Sequence, residues 1–301
     1  MSSHSYIKNS LNEKIFININ GKLYKRSEAK ISVFDSGFLL GDGVWEGIRL
    51  HNSCLVFIDD HLERLYKSAK GIGLDISMNP DDIVNEIHSV LSKNNMKDDV
   101  HVRLVVSRGD KITPYQNPNA NVGPINYVII PEHKKVDPSI YNNGIKIGRV
   151  PNIRPNDNIL SPRYNTLSKL NCILASIEAN KLGFDEGIMK DINGNISTCN
   201  STNLFFIKNE TLITSTGEFC LNGITRKKTI EICNENNINC LQTDFTFDDV
   251  ADCEEAFVTG TFAGIIPVSK LEDEKLSSTS KDSFVNRIRQ LYNDKIKNYL
   301  S

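Results

Sequence analysis

Three separated positions in this chain carry residue types that suit the binding of a phosphate group. A bound phosphate needs a fixed cation and several backbone N–H donors, and helix N-termini and small hydroxyl side chains supply such donors. Thr225 lies at the predicted start of a helix and is preceded by Gly223, which would let the backbone approach a phosphate closely. Thr261 follows Gly260 in a predicted turn. Arg64, on the outer part of an earlier predicted helix, is the candidate cation. An N-cap threonine, a turn threonine and a solvated arginine are the alternative interpretations of the same residues.

The elements that would position these residues are clearest between residues 161 and 206. Apolar residues recur there at three- and four-residue steps, which predicts a helix with one apolar face, ended by Gly183. They are Leu167, Leu170, Ile173, Leu174 and Ile177. A hairpin turned at Asn193-Gly194 and two further strands around Asn209-Glu210 are predicted next. The chain is therefore expected to run from an extended segment through a helix to a sheet.

Similar patterns predict the remaining elements. Residues 15–34 are expected to form a hairpin at Asn20-Gly21 and a further strand, and residues 36–57 a loop and two strands. Strands are also predicted at 100–107 and 125–130, joined by a long polar loop at 109–124 that is typical of a lid or binding loop. Strands are expected on both sides of the Thr259-Gly260-Thr261 turn. Helices are predicted at 59–72, 81–94, about 223–236 and 280–300, the last with Phe284, Ile288 and Leu291 facing inward.

The composition limits the class of protein. The 301 residues are 39% hydrophobic and 24% charged, which is ordinary for a soluble globular protein, and the net charge of −2 predicts neither nucleic acid nor an anionic membrane as a partner. No stretch approaches the roughly 18 apolar residues of a membrane span. Seven irregularly spaced cysteines indicate a reduced, cytoplasmic protein, and the scattered histidines predict no metal site.

Seven short, separated blocks lie in order along the chain between residues 41 and 261. They are Gly41-Asp42-Gly43-Val44-Trp45-Glu46-Gly47, His61-Leu62-Glu63-Arg64-Leu65, Ser107-Arg108-Gly109, Asp185-Glu186-Gly187, Asn203-Leu204-Phe205, Asn222-Gly223-Ile224-Thr225-Arg226 and Thr259-Gly260-Thr261. Together they resemble the class IV aminotransferases, the fold-type IV pyridoxal 5′-phosphate (PLP) family. This family includes branched-chain and D-amino-acid aminotransferases and aminodeoxychorismate lyase. The resemblance implies a homodimer that acts on an amino acid and a 2-oxo acid, and a PLP phosphate cup formed by Arg64, Gly223, Ile224, Thr225 and Thr261.

Two positions depart from the family pattern. When the segment from Pro162 to Phe205 is aligned without gaps, the family's Schiff-base lysine falls on Asn165, and its pyridine-nitrogen glutamate falls on Thr198. An amide is not a nucleophile and cannot shuttle a proton, so Asn165 cannot take over the lysine's roles. A hydroxyl at Thr198 would leave the pyridine nitrogen close to neutral and weaken the ring as an electron sink, which favours elimination; alternatively, Thr198 is only a strand residue.

Lys169 is the nearest candidate replacement for the missing lysine. It lies four residues after Asn165, one predicted helical turn along the same face. The family often has a tyrosine at this position, beside the phenolic oxygen of PLP, so a lysine there is expected to lie near the aldehyde carbon. Three alternatives stay open for Lys169: a relocated Schiff base, contact with the phenolate only, and no role toward the coenzyme.

Other candidates lie toward the substrate. Arg103, predicted on the strand face that carries His101 and Val105, resembles an arginine near the substrate in branched-chain enzymes and could bind a carboxylate. A solvated arginine at a sheet edge is the alternative. Trp45 and Tyr164 could wall the substrate side or belong to the core. Cys199 is not expected to act as a nucleophile, because the second half of the chain has no histidine to activate it.

The predicted fold is α/β (α+β), with the two-domain fold-type IV architecture. A smaller N-terminal α/β sandwich spans residues 1–130, a linker 131–140, and a larger barrel-like C-terminal domain 141–301, with a pocket between the domains. Three functions fit the sequence: an aminotransferase of the branched-chain or D-amino-acid type with Lys169 replacing the lysine, a PLP lyase related to aminodeoxychorismate cleavage, and a non-catalytic relative that keeps the fold and the phosphate cup.

Overall fold

The chain folds into two units that do not follow its linear order. A computed structural model describes residues 3–300. The N-terminal unit contains residues 7–135 and takes back residues 164–169, and the C-terminal unit contains residues 3–6, 136–163 and 170–300. The change at 135/136 falls inside the predicted linker, where the structure has strand and helix. The predicted domain limits remain a prediction, but the mixed α/β class is confirmed.

The bounds of the regular elements are as follows. The helices are α1 (Ser36–Leu40), α2 (Ile58–Gly71), α3 (Pro80–Lys93), α4 (Ser139–Asn143), α5 (Leu170–Lys181), α6 (Ile224–Glu235) and α7 (Phe284–Leu300). The first ten strands are β1 (Tyr6–Ile7), β2 (Phe16–Ile19), β3 (Lys22–Lys25), β4 (Gly43–His51), β5 (Cys54–Leu55), β6 (Val100–Ser107), β7 (Asp110–Lys111), β8 (Asn121–Val122), β9 (Asn126–His133) and β10 (Lys135–Val136). The others are β11 (Ile145–Ile153), β12 (Glu186–Lys190), β13 (Ile196–Cys199), β14 (Asn203–Lys208), β15 (Thr211–Thr214), β16 (Cys240–Gln242), β17 (Glu255–Gly260), β18 (Gly264–Leu271) and β19 (Glu274–Lys275).

An antiparallel sheet in the order β3-β2-β9-β6-β4-β5 forms the centre of the N-terminal unit. Side chains alternate between the two faces of a strand, so Val44, Ile48 and Leu50 of β4 share one face. Their cluster with α2 and α3 residues such as Leu65 and Ile87 is the core of the unit. Full burial of such side chains stabilises the fold by about 1.5–3 kcal/mol each.

A mixed sheet in the order β13-β12-β11-β18-β17-β14-β15-β16 builds the C-terminal unit. Strand β11 runs parallel to β12 and β18, whereas β14, β17 and β18 pair antiparallel. Its main apolar cluster includes Ile147, Phe206 and Val258. The antiparallel β17–β18 pair confirms the strands predicted on both sides of the Thr259-Gly260-Thr261 turn.

The turns show both successes and errors of prediction. The hairpins at Asn20-Gly21 and Asn209-Glu210 are present, with positive φ at all four residues. In the β12–β13 hairpin only Gly194 has positive φ, and the Asp191 carboxylate closes a longer loop by accepting the N–H groups of residues 193 and 195. The predicted strand after the first hairpin is wrong, because residues 26–34 form turns and irregular backbone.

Two segments predicted as loops are more ordered than expected. Residues 36–40 form α1, with Asp35 as its N-cap and Gly41 as its C-cap. In the 109–124 segment, β7 pairs with β8. Both segments have a weak hydrophobic pattern. Capping side chains stabilise the first, and short-range strand pairing stabilises the second.

Two helices bury a different face from the one predicted. In α5 the buried residues are Ala175 and Ala179, whereas the apolar residues Leu170, Ile173, Leu174 and Ile177 are 44–66% exposed. Helix α7 begins at Phe284, and it buries Val285, Ile288 and Tyr292 in place of Phe284 and Leu291. In α5 the small residues pack closely on the sheet, and the larger apolar face is left at the surface.

Candidate active site

A buried charged cluster links α2 to β4 in the N-terminal unit. Glu46 lies between Val44 and Ile48, on the face of β4 that packs against α2, and it is fully buried. Its Oε1 and Oε2 accept hydrogen bonds from Arg64 Nε and Nη2 at 2.8 and 2.7 Å, and His61 Nδ1 lies 2.7 Å from Oε2. Burial alone would raise the pKa of Glu46, but the positive charge and hydrogen bonds of Arg64, helped by His61, lower it to about 2. Glu46 is therefore ionised and fixes the guanidinium of Arg64.

Arg64 thus lies in a different environment from the one predicted. Its side chain is only 13% exposed and packs inward from α2, so the interpretation as a solvated arginine on the outer part of the helix is wrong. The bidentate contact with Glu46 sets its orientation. Glu46 was present in a family block, yet its role was missed; a lone carboxylate among alternating apolar residues was the available signal.

The segment 164–169 runs beside the start of β4 as irregular chain, with an isolated bridge between Val44 and Thr166. Asn165 O accepts from Trp45 N at 3.0 Å, and Leu167 N donates to Gly43 O at 2.9 Å. Helix α5 begins only at Leu170, so the prediction that Lys169 lies one helical turn beyond Asn165 is wrong.

Asn165 is buried and is held mostly by backbone. Its Nδ2 donates to Trp45 O at 2.6 Å and its N–H to Ser68 Oγ at 3.0 Å, and the residue is 1% exposed. Its Oδ1 is buried and has no hydrogen-bond partner among residues 3–300. The amide thus stabilises the edge of β4, and its free oxygen is a site where a donor group would be stabilised.

Trp45 brings two of the predicted cations together on the sheet face opposite α2. Arg103 Cζ lies 3.7 Å and Lys169 Nζ 5.5 Å from the centroid of the indole ring, distances at which cation–π attraction operates. Trp45 Nε1 donates to Thr166 O at 3.2 Å. Burial lowers the pKa of Arg103, with Glu132 and Glu46 opposing.

Arg103 is also not at a sheet edge, because β6 pairs with β4 on one side and β9 on the other. Arg103 alternates along β6 with the core residues Val102 and Leu104. It therefore lies on the opposite face of the strand, which is the face predicted for it. Tyr164 packs its ring on the C-terminal end of α2, since a Cβ placed on Gly71 would lie 2.3 Å from that ring. Arg103, Trp45 and Lys169 are thus neighbours, whereas Tyr164 contacts the end of a helix.

In the C-terminal unit, the start of α6 is shaped by an asparagine. Gly223 N donates to Asn203 Oδ1 at 3.1 Å, and Asn203 Nδ2 donates to Leu221 O at 2.9 Å. A Cβ at Gly223 would lie 2.4 Å from Asn203 Oδ1, so glycine is required there. The first-turn N–H groups of a helix have no acceptors within it. With buried Ile224 and Thr225 in that turn, the geometry suits a phosphate.

The threonines of the predicted cup lie at helix and strand ends in this unit. Thr225 is not the N-cap, which is Gly223, and its Oγ1 lies 3.4 Å from the hydroxyl of buried Tyr292, whose pKa burial raises to about 12. Thr261 lies in the turn between β17 and β18 and is half-buried. The buried Thr259 Oγ1 has no hydrogen-bond partner among the described residues. The predicted alternative of a turn threonine thus fits the position of Thr261.

Thr198 cannot serve as a carboxylate, and its hydroxyl is engaged. It donates to Thr202 O at 2.7 Å and accepts from Asn203 Nδ2 at 3.5 Å. The nearby carboxylate of Glu186 is fully buried and accepts from Ser201 N at 3.1 Å and Thr202 Oγ1 at 3.2 Å, and burial raises its pKa. Thr198 and Glu186 therefore hold the turn at 200–202.

Cys199 has the properties of a structural thiol. Burial, reinforced by the charge of Glu186, raises its pKa well above the usual value. A protonated, buried thiol is a poor nucleophile. No group of three or more His, Cys, Asp or Glu residues that could hold a metal ion occurs within residues 3–300.

The residues present fit the phosphate of PLP but not the usual attachment of its aldehyde. In the C-terminal unit, the α6 start and the buried hydroxyl of Thr225 have the chemistry of a phosphate site; in the N-terminal unit, the fixed Arg64 is a cation of the kind that binds phosphate. Asn165 supplies no amine, and Thr198 supplies no carboxylate.

The region between residues 3 and 300 contains no helix that is long and apolar enough to cross a membrane.

The similarity to known proteins agrees with this fold. The family model of the class IV amino-transferases matches residues 43–271. A Methanocaldococcus jannaschii protein assigned as a branched-chain-amino-acid aminotransferase is 32% identical over 279 residues, 92% of this chain and 95% of that one. The D-alanine aminotransferase of Bacillus licheniformis is 29% identical over 263 residues, covering 86% of this chain and 89% of that one.

A solved structure shows the same architecture. The branched-chain aminotransferase of Thermoproteus uzoniensis with norvaline superposes with a TM-score of 0.84 at 25% identity, covering 95% of both chains. The fold, the α6 start and the matched segment thus define one class of protein. This chain belongs to the class IV aminotransferase family.

Proposed function

We propose that the chain is a PLP-dependent aminotransferase of the branched-chain or D-amino-acid type, in which Lys169 replaces the lysine missing at position 165. The observation that carries the proposal is the position of Lys169 Nζ, 5.5 Å from the Trp45 ring centroid, while the Asn165 amide is bonded to backbone. The relatives named above act, by their names, on branched-chain amino acids and D-alanine. The proposed substrate class is taken from these relatives, whereas the proposed role of Lys169 rests on the geometry of this chain.

Phosphate binding is assigned to Arg64, Gly223, Ile224, Thr225 and Thr261. Glu46 holds Arg64 in one orientation, and the α6 N-terminus presents backbone N–H groups. When bound, PLP supplies an electrophilic aldehyde and an electron sink. The phosphate-binding residues anchor and orient it, which lowers the entropy cost of bringing the reacting groups together.

The other residues would act on the substrate. Arg103 binds the carboxylate of the amino acid or 2-oxo acid, since its guanidinium is held against Trp45 and its charge is partly desolvated. Trp45 and Tyr164 form apolar walls. In this proposal Lys169 carries the reactive amine and moves a proton near the reacting carbon.

Covalent labelling tests the role of Lys169. Purified protein mixed with PLP and reduced with borohydride is expected to carry the label on Lys169, as located by peptide mass spectrometry. Lys169→Ala should abolish the label, whereas Lys181→Ala, which changes an exposed lysine paired with Glu178, should keep it. A label that persists in Lys169→Ala would show that another lysine is used. Retained PLP without any label supports a non-catalytic relative.

A PLP lyase is the second candidate, favoured by Thr198. Its hydroxyl already donates to Thr202 O, so the coenzyme's pyridine nitrogen would meet no carboxylate at this position. A weaker electron sink favours elimination over transamination. Product analysis with an amino donor plus a 2-oxo acid, against aminodeoxychorismate alone, separates the two reactions.

We also infer a cytoplasmic homodimer. The exposed apolar side chains of α5 support self-association, because monomers rarely expose contiguous apolar surface of this kind. The odd number of cysteines supports a reducing compartment.

A further inference from the structure

A small polar cavity lies in the C-terminal unit between α4, β18 and the start of α7. Its volume is about 110 Å³, and its lining includes Asn142, Ser278, Thr279, Lys281 and Arg289. None of these residues has a place in the proposed coenzyme or substrate site. The lining contains two cationic side chains, several hydroxyl or amide groups and no carboxylate.

Arg289 is the principal charge of the cavity. Its Cζ lies 4.7 Å from the ring centroid of Tyr141, and its Nη2 donates to Asn286 Oδ1 at 2.7 Å. Burial lowers its pKa, which reflects a charge partly removed from water. Within residues 3–300 no carboxylate lies within ion-pair distance of Arg289, unlike Arg64, which has Glu46. Half-buried cations are normally paired, so the cavity has an unsatisfied preference for an anion.

The neighbouring acidic groups are used elsewhere or lie outside. The Glu255 carboxylate accepts the N–H groups of Phe284 and Val285, both at 2.9 Å, at the start of α7. Asp282 is exposed and does not line the cavity. The positive potential near Arg289 is therefore not cancelled by an adjacent carboxylate.

The hydroxyl groups of the cavity are held in place by the fold. Ser278 is 2% exposed, and its Oγ accepts from Ala256 N at 2.9 Å, so its own hydrogen remains to be donated. The methyl of Thr279 packs against Gly144, where a Cβ would come within 2.9 Å of it. Asn286 Nδ2 donates to Lys281 O at 2.8 Å and ties the loop to α7. These donors need little ordering when a ligand binds.

We propose that this cavity binds a compact oxyanion, of the phosphate or carboxylate class, through Arg289, Ser278 and Thr279. A volume of about 110 Å³ holds three or four waters at ~30 Å³ each, or one small oxyanion. Drug-sized ligands need pockets of about 300 Å³ or more, so larger molecules would enter only by an anionic end. The proposal is independent of the proposed function.

Anion-dependent stability of the full-length protein tests the site. We expect sodium phosphate, compared with sodium chloride at equal ionic strength, to raise Tm in the wild type and in Arg287→Gln. That control removes a neighbouring exposed arginine of α7. Arg289→Gln should lose the shift and bind phosphate at least tenfold more weakly by calorimetry. An equal shift in Arg289→Gln, or no shift in the wild type, would overturn the proposal. Sodium acetate in parallel tells whether carboxylate or phosphate is preferred.

Two further measurements separate this cavity from the proposed coenzyme site and from misfolding. Arg64→Gln is expected to keep the phosphate-induced increase in Tm. If Arg64→Gln lost this increase while Arg289→Gln kept it, the anion would be bound at the proposed coenzyme site. That result would refute the cavity proposal and leave the proposed function standing. Should Arg289→Gln fail to fold, crystals of the wild type soaked in selenate decide the matter. An anomalous peak within hydrogen-bond distance of Arg289 supports the site, and an empty cavity at saturating selenate refutes it.

Discussion

At the scale of single residues, the charges inside the N-terminal unit follow from side-chain alternation along β4. Glu46 shares a face with Val44 and Ile48, so a carboxylate is carried into an apolar core and must find hydrogen-bond donors there. His61 and Arg64, three residues apart on α2, meet it together. The cluster is stabilised because Arg64 and His61 both bond to the buried carboxylate, not because an ion pair is favourable by itself.

Glu46→Gln is expected to destabilise the protein by about 3–5 kcal/mol, because Arg64 would lose the buried carboxylate that pairs with its charge. The folded-state pKa, lowered from 4.5 to about 2, corresponds to about 3 kcal/mol of stability that is present above pH 4.5 and lost as the pH falls toward 2. Denaturant unfolding at several pH values measures both effects. Glu63→Gln, an exposed change on the same helix, should have little effect, and an unaltered acid profile in Glu46→Gln would contradict the account.

At the scale of elements, the sequence predicted strands and helices well where short-range signals agree. Helices α2 and α3, strands β4, β6 and β9 and two hairpins follow from periodicity and Asn-containing turns. The predicted start of α5 and its predicted buried face were wrong. A helix that packs closely on a sheet needs small residues such as Ala175 at the contact, and the periodicity of large apolar residues does not reveal them. The roles of Glu46 and Asn203 depend on contacts between distant segments, which a single sequence does not display.

The start of α6 gives a sharp test, because two glycines in the same unit differ in what they face. Gly223→Ala should shift the first turn and lower PLP retention, since its Cβ would lie 2.4 Å from Asn203 Oδ1. Gly260→Ala should be tolerated structurally, as its Cβ would meet Thr202 Cγ2 at an ordinary 3.6 Å. Equilibrium dialysis against PLP and Tm measure the difference. Equal retention in both variants would argue against a phosphate at this helix end.

Helix α5 allows a matched pair of substitutions on opposite faces. Ala175→Leu should cost about 1–3 kcal/mol, because the added atoms have no space against the sheet. Ile173→Ala, on the exposed face, should change the stability of a single chain by less than about 0.5 kcal/mol. Unfolding at low protein concentration compares them, and a larger loss in Ile173→Ala would mean that the exposed face is covered.

At the scale of the whole molecule, family membership is secure while the reaction depends on few positions. The class IV fold accommodates several chemistries, and function follows from the site rather than the fold. In the function proposed for this chain, Asn165 and Thr198 occupy the positions where the family is expected to have an amine and a carboxylate. On that proposal, activity depends on whether Lys169 can take over.

The assembly predicted from α5 is tested by its exposed face. Leu174→Glu and Ile177→Glu together should convert the proposed dimer into a monomer without unfolding it, because both side chains are exposed in the single chain. Light scattering coupled to gel filtration gives the mass, and circular dichroism checks the fold. A mass that remains that of a dimer would exclude this face as the contact.

The period-two geometry of β4 separates two properties that an engineer would want to change independently. Glu46 holds Arg64, the arginine proposed to bind the coenzyme phosphate, and Trp45 stacks against Arg103, the arginine proposed to bind the substrate carboxylate. The two residues are sequence neighbours on opposite sides of one strand. Substrate preference should therefore be tunable at Trp45 with little loss of coenzyme affinity. Inserting or deleting one residue in this strand would exchange the two sides and disable both at once.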